Sequence, residues 1–315
     1  MVKKIAFIFP GQGAQVVGMG KDLYENFESA KKVFNTADKV LGKSITKLCF
    51  EGPDEDLKQT VNTQPAIVTM SIAALETFKS LIDIKPSFTA GHSLGEYCAM
   101  YCSGVMDLET TFKAIQKRAD LMSQVKGGTM AAVISAPAGS IEKALKEASS
   151  VGYVDVANYN SPVQVVLTGD EKAVAKAGEV LTEAGAKRFV PLAVSGAFHS
   201  KFLENASSEF ASYIANEDLS SASIPVITNV DASATISSED FRNKMPRQIC
   251  SSVHWTQTIE NMVQNGVDTF IEIGPGKVLA GLNKKINAEV KTYNIFDKES
   301  LEKTVAELKS ELCEV

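Results

Sequence analysis

The alternation of apolar and polar positions divides the chain into short buried runs and longer amphipathic ones. Lys4–Phe9 (Lys-Ile-Ala-Phe-Ile-Phe) is almost continuously apolar, the pattern of a strand covered on both faces. It runs into Pro10-Gly11-Gln12-Gly13-Ala14-Gln15, a glycine-bearing loop at the strand's C-terminal end, where ligands sit in open parallel sheets. Helical periodicity follows over Ala30–Leu41 and Gln64–Leu81, the second apolar on most faces and therefore assigned to the core. Phe88-Thr89-Ala90 reads as the end of another strand, and a helix opens at Tyr97-Cys98-Ala99-Met100. Asp107–Met122 is amphipathic, with Asp107 as its N-cap.

Beyond Gly127 the rhythm shortens. Strands are predicted at Thr129–Ile134, Val154–Asn158, Gln164–Thr168 and Lys187–Pro191, with helices at Ser140–Ala148 and Glu171–Ala184. The order β-α-β-β-α-β is the split-βαβ, ferredoxin-like motif. Gly127-Gly128 marks its entry and Val194-Ser195-Gly196 its exit, so residues 128–195 read as a small domain inserted into a larger one, 1–127 and 196–315. The larger one resumes with a helix near Phe202–Ala215. Short strands follow at Pro225–Val230 and Thr269–Ile273, and an amphipathic helix at Glu302–Leu312 closes the chain.

Composition narrows the class. Hydrophobic residues at 44% and charged residues at 22% suit a globular α/β protein, and a net charge of −6 disfavours a nucleic-acid partner. No apolar run reaches transmembrane length, and Met1-Val2-Lys3-Lys4 leads into a strand too short for a signal peptide, so no membrane association is expected. Five cysteines without a Cys-x-x-Cys pair point to reduced thiols in a cytoplasmic setting. Cys98 and Cys102 share a helix face, but no nearby His or Cys completes a ligand set; they read as buried thiols, and no metal is expected.

The candidate chemistry centres on Gly91-His92-Ser93-Leu94-Gly95, a Gly-x-Ser-x-Gly between strand and helix, the pattern of a nucleophile elbow. The turn is tight, so the residues two places either side of the serine must lack a Cβ. The loop after the first strand either offers N–H groups near Ser93 or is a plain exit turn; the phosphate-loop and dinucleotide glycine spacings are absent. A serine needs a base, and the chain has three histidines. His92 adjoins the serine and diverges from it on a tight turn, which suits shaping the elbow or closing the pocket. His254 stands at a probable helix start, where capping or packing is expected. His199 lies in a glycine-led loop at the domain seam and is the base by elimination. No acid stands between elbow and histidine to orient it, which leaves a backbone carbonyl for that task. Arg118, one of four arginines, sits on an apolar helix face; it is either a planar clamp for a carboxylate or half of a structural salt bridge.

Eight segments in order carry a resemblance. They are Pro10–Gln15, Asn62-Thr63-Gln64-Pro65-Ala66, Gly91–Glu96, Gln116-Lys117-Arg118-Ala119, Gly128–Ala132, Asn158-Tyr159-Asn160-Ser161-Pro162-x-Gln164, Gly196-Ala197-Phe198-His199-Ser200 and Glu272–Gly276. Over nearly its whole length the chain resembles the malonyl-CoA:acyl carrier protein transacylases of type II fatty-acid synthesis. The resemblance implies an α/β-hydrolase-like, mostly parallel sheet domain with the ferredoxin-like insert. It implies malonyl-CoA as substrate, a phosphopantetheinylated acyl carrier protein as partner and no permanently bound cofactor. Carried over by position, Ser93 is the nucleophile and His199 its base, oriented by the backbone of Gln248. The N–H groups of Gln12 and Leu94 form the oxyanion hole. Arg118 pairs with the malonyl carboxylate, with His92, Asn160 and Phe198 around the substrate. Phe198 matches the bulky residue that accompanies malonyl rather than methylmalonyl units. The chain departs from the family pattern at Ser252-Val253-His254-Trp255, where Pro-Val-Arg-Trp is common, and at Ala197, where proline is common. A serine hydrolase or thioesterase, or a malonyl transferase of a polyketide pathway, is the alternative reading. Lys244, Arg247, Lys284 and Lys285 are candidates for docking an acidic carrier, against the plainer reading of solvated surface lysines.

Overall fold

A computed structural model describes residues 4–313; the outermost positions of the expected larger domain, 1–3 and 314–315, lie outside the described residues. The strands are β1 (Ile5–Phe9), β2 (Phe88–Gly91), β3 (Thr129–Ile134), β4 (Val154–Ser161), β5 (Gln164–Gly169), β6 (Arg188–Pro191), β7 (Val226–Ile227), β8 (Ala234–Thr235), β9 (Thr269–Ile273) and β10 (Lys291–Ile295).

They form two sheets. The larger has the order β10-β9-β1-β2-β7-β8, parallel throughout except for the edge strand β8, which runs antiparallel to β7. All five residues of β1 are buried, as its unbroken apolar run requires of a central strand. Phe7, Phe9 and Ile271 face one core with the helices Glu28–Leu41 and Thr60–Leu81. Ala6, Ile8, Ala90 and Phe270 face a second with Trp255, Ile259 and Leu279. The smaller sheet, β4-β5-β3-β6, is antiparallel and comes from one continuous stretch with the predicted β-α-β-β-α-β order. One face of it packs on the helices Ser140–Ala148 and Glu171–Glu183. From its other face Met130, Ala132, Ala157 and Val166 join the core of the larger layer. The layers are also stitched through backbone: Val253 N–H donates to the Ala157 carbonyl at 2.8 Å, and Tyr159 N–H to the Val253 carbonyl at 2.9 Å.

The predicted helix Gln64–Leu81 begins one turn earlier, at Thr60, and carries Pro65 inside it. Proline removes the N–H that would bond the carbonyl four residues back, that of Val61. Lys43 Nζ (3.1 Å) and Gln116 Nε2 (3.3 Å) donate to that carbonyl instead, so the helix passes through the proline. Asp107 caps Leu108–Ser123 as expected, accepting from the Thr110 N–H at 2.7 Å. The strand predicted at Pro225–Val230 shrinks to the two residues of β7. Beyond them Thr228 and Asn229 spend their hydrogen bonds on Ser233, Asp231 and the elbow rather than on a ladder. The helices Ile45–Glu51, Ser238–Cys250 and Val278–Ile286 and the strand β10 were not predicted.

Candidate active site

The elbow joins β2 to the helix Gly95–Cys102. Ser93 has φ 52°, a left-handed backbone that costs a non-glycine residue free energy and persists only where neighbours over-determine it. Those neighbours leave no room. A Cβ on Gly91 would lie 1.9 Å from the Gly95 carbonyl carbon, and one on Gly95 would lie 2.3 Å from the Phe9 carbonyl oxygen. The two glycines flanking Ser93 at a distance of two are therefore required by contact with backbone, as the motif predicts. The β1 exit loop is pressed against the same turn, since a Cβ on Gly11 would lie 2.8 Å from the His92 carbonyl oxygen.

His199 approaches from the loop that returns from the small sheet, and its Nε2 lies 2.8 Å from Ser93 Oγ. It too has a left-handed backbone, φ 54°. Its other nitrogen, Nδ1, faces two carbonyl oxygens, those of Gln248 at 3.0 Å and Ser251 at 3.1 Å. Carbonyls only accept, so the ring proton belongs on Nδ1 and the lone pair of Nε2 faces the serine. Burial, with the Arg118 cation and His92 close by, pushes this imidazole down to about 3. It is neutral at physiological pH, the form a general base needs. The missing acid is thus replaced by main chain from the helix Ser238–Cys250 and the residue following it.

Arg118 is 1% exposed, on the helix Leu108–Ser123. Its Nη1 donates to Gln64 Oε1 (2.6 Å), and its Nη2 to Ser93 Oγ (2.9 Å) and Gln248 Oε1 (3.0 Å). Among the described residues its Nε has no hydrogen-bond partner. These partners are neutral oxygens, so the salt-bridge alternative is not what the structure shows. A buried guanidinium aimed at Ser93 Oγ is able to receive an anionic group. Gln248 serves three groups at once, since its Nε2 also donates to the Ser93 carbonyl at 2.8 Å.

The remaining predicted residues are placed as follows. Gln12 and Phe198 line the same cavity, about 130 Å³, as Ser93, Arg118 and His199. Among the described residues neither the Gln12 N–H nor the Leu94 N–H finds an acceptor in the protein. His92 Nε2 pairs with Asn160 Oδ1 at 2.8 Å on the wall of an adjoining cavity of about 500 Å³, which extends to Lys277 and Lys285. Burial lowers the pKa of His92 as well. His254 makes no side-chain cap; its ring stacks on Tyr159, 5.2 Å between centroids and 9° from parallel. Its backbone N–H donates to the Asn229 carbonyl at 3.0 Å. Among the described residues no group of three or more His, Cys, Asp or Glu is placed to hold a metal ion.

Two site residues had no assigned role in the sequence reading. Gln64 was visible only as part of a quoted segment. Asn229, fully buried just past β7, binds the elbow at the Gly91 carbonyl and the Ser93 N–H, on either side of His92. Its one signal was a polar residue at the C-terminal end of a parallel strand, where sites form.

A strained serine hydrogen-bonded to a neutral imidazole, at the C-terminal edge of a mostly parallel sheet, is an arrangement suited to acyl chemistry. The acyl transferase domain family matches residues 6–306, which gives the class as an acyltransferase. The malonyl CoA-acyl carrier protein transacylase of Bacillus subtilis (strain 168) is 42% identical over 314 residues, covering 98% of this chain and 99% of that protein. The transacylase of the same name from Haemophilus influenzae is 39% identical over 94% of this chain and 96% of that protein. The crystal structure of malonyl CoA-acyl carrier protein transacylase from Clostridium perfringens matches with a TM-score of 0.95 at 38% identity, over 99% of this chain and 100% of that one. A malonyl-transacylase solved in complex with a type II polyketide acyl carrier protein matches with a TM-score of 0.94 at 36% identity, over 97% and 100%. The chain belongs to the malonyl CoA-acyl carrier protein transacylase family.

Proposed function

We propose that this chain moves a malonyl group from coenzyme A to the phosphopantetheine thiol of an acyl carrier protein through an ester on Ser93. The observation that carries the reading is the convergence of His199 Nε2 (2.8 Å) and Arg118 Nη2 (2.9 Å) on one oxygen, Ser93 Oγ. The first activates the hydroxyl, and the second selects an acyl group that ends in a carboxylate.

His199 takes the Ser93 proton as Oγ attacks the thioester carbonyl. The N–H groups of Gln12 and Leu94 hold the oxyanion; each such donor is worth ~10²–10³ in turnover. Collapse breaks the C–S bond, and His199 returns the proton to the coenzyme A thiolate. The carrier thiol then enters, gives its proton to His199 and attacks the Ser93 ester, and the steps reverse. Asn160, His92 and Phe198 shape the passage to the serine. No resident cofactor takes part.

The architecture supports an α/β-hydrolase-like domain, 1–127 and 196–315, with a ferredoxin-like subdomain, 128–195, whose seam holds the site. The thiols support a cytoplasmic setting. Intact-protein mass spectrometry after mixing with malonyl-CoA, then with carrier, tests the reading. The expected result is a malonyl adduct on Ser93 that moves to the carrier. An adduct that decays only to water would make the protein a hydrolase, and no adduct would leave it a binding module.

A further inference from the structure

We propose that Asn229 is a positioning residue that holds the nucleophile elbow and decides which of its amides is left to stabilise the oxyanion. The inference rests on Ser93 being the nucleophile. Asn229 is 0% exposed and follows β7, far in sequence from the turn it holds. Its side-chain Oδ1 accepts from the Ser93 N–H at 2.7 Å, and its Nδ2 donates to the Gly91 carbonyl at 2.7 Å. One amide therefore closes a ring over residues 91–93, with a donor and an acceptor facing a backbone acceptor and donor. Its own backbone is held in turn: the N–H donates to Glu96 Oε2 at 2.6 Å, and the carbonyl accepts from the His254 N–H at 3.0 Å.

Two consequences follow. Ser93 has φ 52°, and a backbone in that region needs external restraint. The ring supplies it from a different strand, so the hydroxyl stays aligned with His199. Second, the Ser93 N–H is consumed. The Leu94 N–H, which finds no acceptor among the described residues, is the elbow amide left for the substrate oxygen. An amide side chain alone among the uncharged ones offers a planar donor and acceptor at this spacing.

The isosteric variant Asn229→Asp makes the idea testable. When protonated, its hydroxyl can donate to the Gly91 carbonyl while the other oxygen accepts from Ser93 N–H; when ionised, it has no donor. The charged groups around this position are the Arg118 cation, which favours ionisation of a carboxyl, and Asp231 and Glu96, which oppose it when charged. Glu96, which accepts from the Asn229 N–H, is itself pushed up to about 7 by burial. Its titration is common to wild type and variants and is removed by taking each rate as a ratio to wild type at the same pH. The measurements are the rate of Ser93 labelling by a fluorophosphonate and the single-turnover rate of malonyl-CoA acylation, for wild type, Asn229→Asp and Asn229→Ala, between pH 5 and pH 8.5. The expected result for Asn229→Ala is a loss of about 10- to 100-fold in both rates, in constant ratio to wild type across pH, with the malonyl-CoA KM within about twofold. Asn229→Asp should approach wild type at the acid end and fall towards the alanine variant as pH rises. Rates within twofold of wild type for both variants at every pH would overturn the proposal. So would failure of both to fold, which would make the residue structural only. A wild type labelled by the fluorophosphonate but not by malonyl-CoA would remove the malonyl reading and leave this one standing.

Discussion

At the scale of single residues the site works by placing ordinary groups where water cannot moderate them. Arg118 is the clearest case: its fork has neutral oxygens as partners, and one N–H, at Nε, finds none among the described residues. A charge-assisted pair with a substrate carboxylate contributes roughly 1.5–3 kcal/mol, about 10- to 100-fold in selectivity. Arg118→Ala is therefore expected to lower the malonyl-to-acetyl ratio of kcat/KM by that factor; an unchanged ratio in a competition assay would remove the clamp. His199, the proposed base, carries a prediction for the pH behaviour. Its pKa is pushed down to about 3, so it stays neutral as pH falls through 6.5, the ordinary value for histidine. The rate of Ser93 labelling should be level from pH 8 to about pH 5. An inflection near 6.5 would show that the imidazole is solvated. Stability, unlike the rate, responds below 6.5: the unfolded chain takes up a proton near 6.5 and the folded one does not, so this group's contribution is present above 6.5 and is lost progressively as pH falls towards about 3.

At the scale of elements, the elbow shows how a strand and a helix are brought close enough to strain the residue between them. Gly95 sits against the carbonyl oxygens of Phe9 and Pro10 on the neighbouring strand and its exit loop. Gly95→Ala would place a methyl group 2.3 Å from the Phe9 oxygen. The helix must then retreat and carry Ser93 with it. The expected cost is about 1–3 kcal/mol of stability in urea titrations and a loss of Ser93 labelling larger than that figure explains. Normal labelling in this variant would show that the elbow tolerates a wider turn. Most elements were legible because their patterns were strong. β3 and the helix Ser140–Ala148 match their predicted bounds, and Asp107 caps where its side-chain chemistry said it should. The helix Ser238–Cys250 was not, since it is largely polar, carries Pro246 and buries one face through tertiary packing alone. β10 is an edge strand whose alternation is too short to stand out.

At the scale of the whole molecule, charge is distributed more selectively than a count of lysines suggests. The four basic residues grouped for carrier docking separate in the fold. Lys244 is bound to Asp231 at 2.8 Å and to Ser233 and Thr235, so it braces the segment after β7. Arg247, Lys284 and Lys285 are exposed, and Lys285 stands at the mouth of the larger cavity. Reversing Lys284 and Lys285 to glutamate should raise the carrier KM several-fold at low salt, less at high salt, and leave single-turnover acylation by malonyl-CoA near wild type. A carrier KM that does not move would exclude this face from docking. Of the ten other ion pairs among the described residues, nine are largely exposed pairs of the kind that contribute little. The tenth, Lys291–Glu311 at 2.6 Å, is half-buried at its carboxylate.

The chain's own pattern determined the mostly parallel sheet, the β-α-β-β-α-β stretch, the serine on its turn and the histidine beside it, and it singled out Arg118 without deciding between a clamp and a salt bridge. Each of these has a local signature: a period of burial, a glycine at fixed spacing, a rare side chain in an apolar run. What orients the histidine has none. The carbonyls of Gln248 and Ser251 hold its proton, and every residue carries such a carbonyl. Asn229, more than a hundred positions from the elbow, is likewise ordinary in sequence and meets Ser93 only because β7 lies beside β2. Those placements belong to the tertiary structure, because a hydrogen bond depends on distance in space and a motif records only distance along the chain.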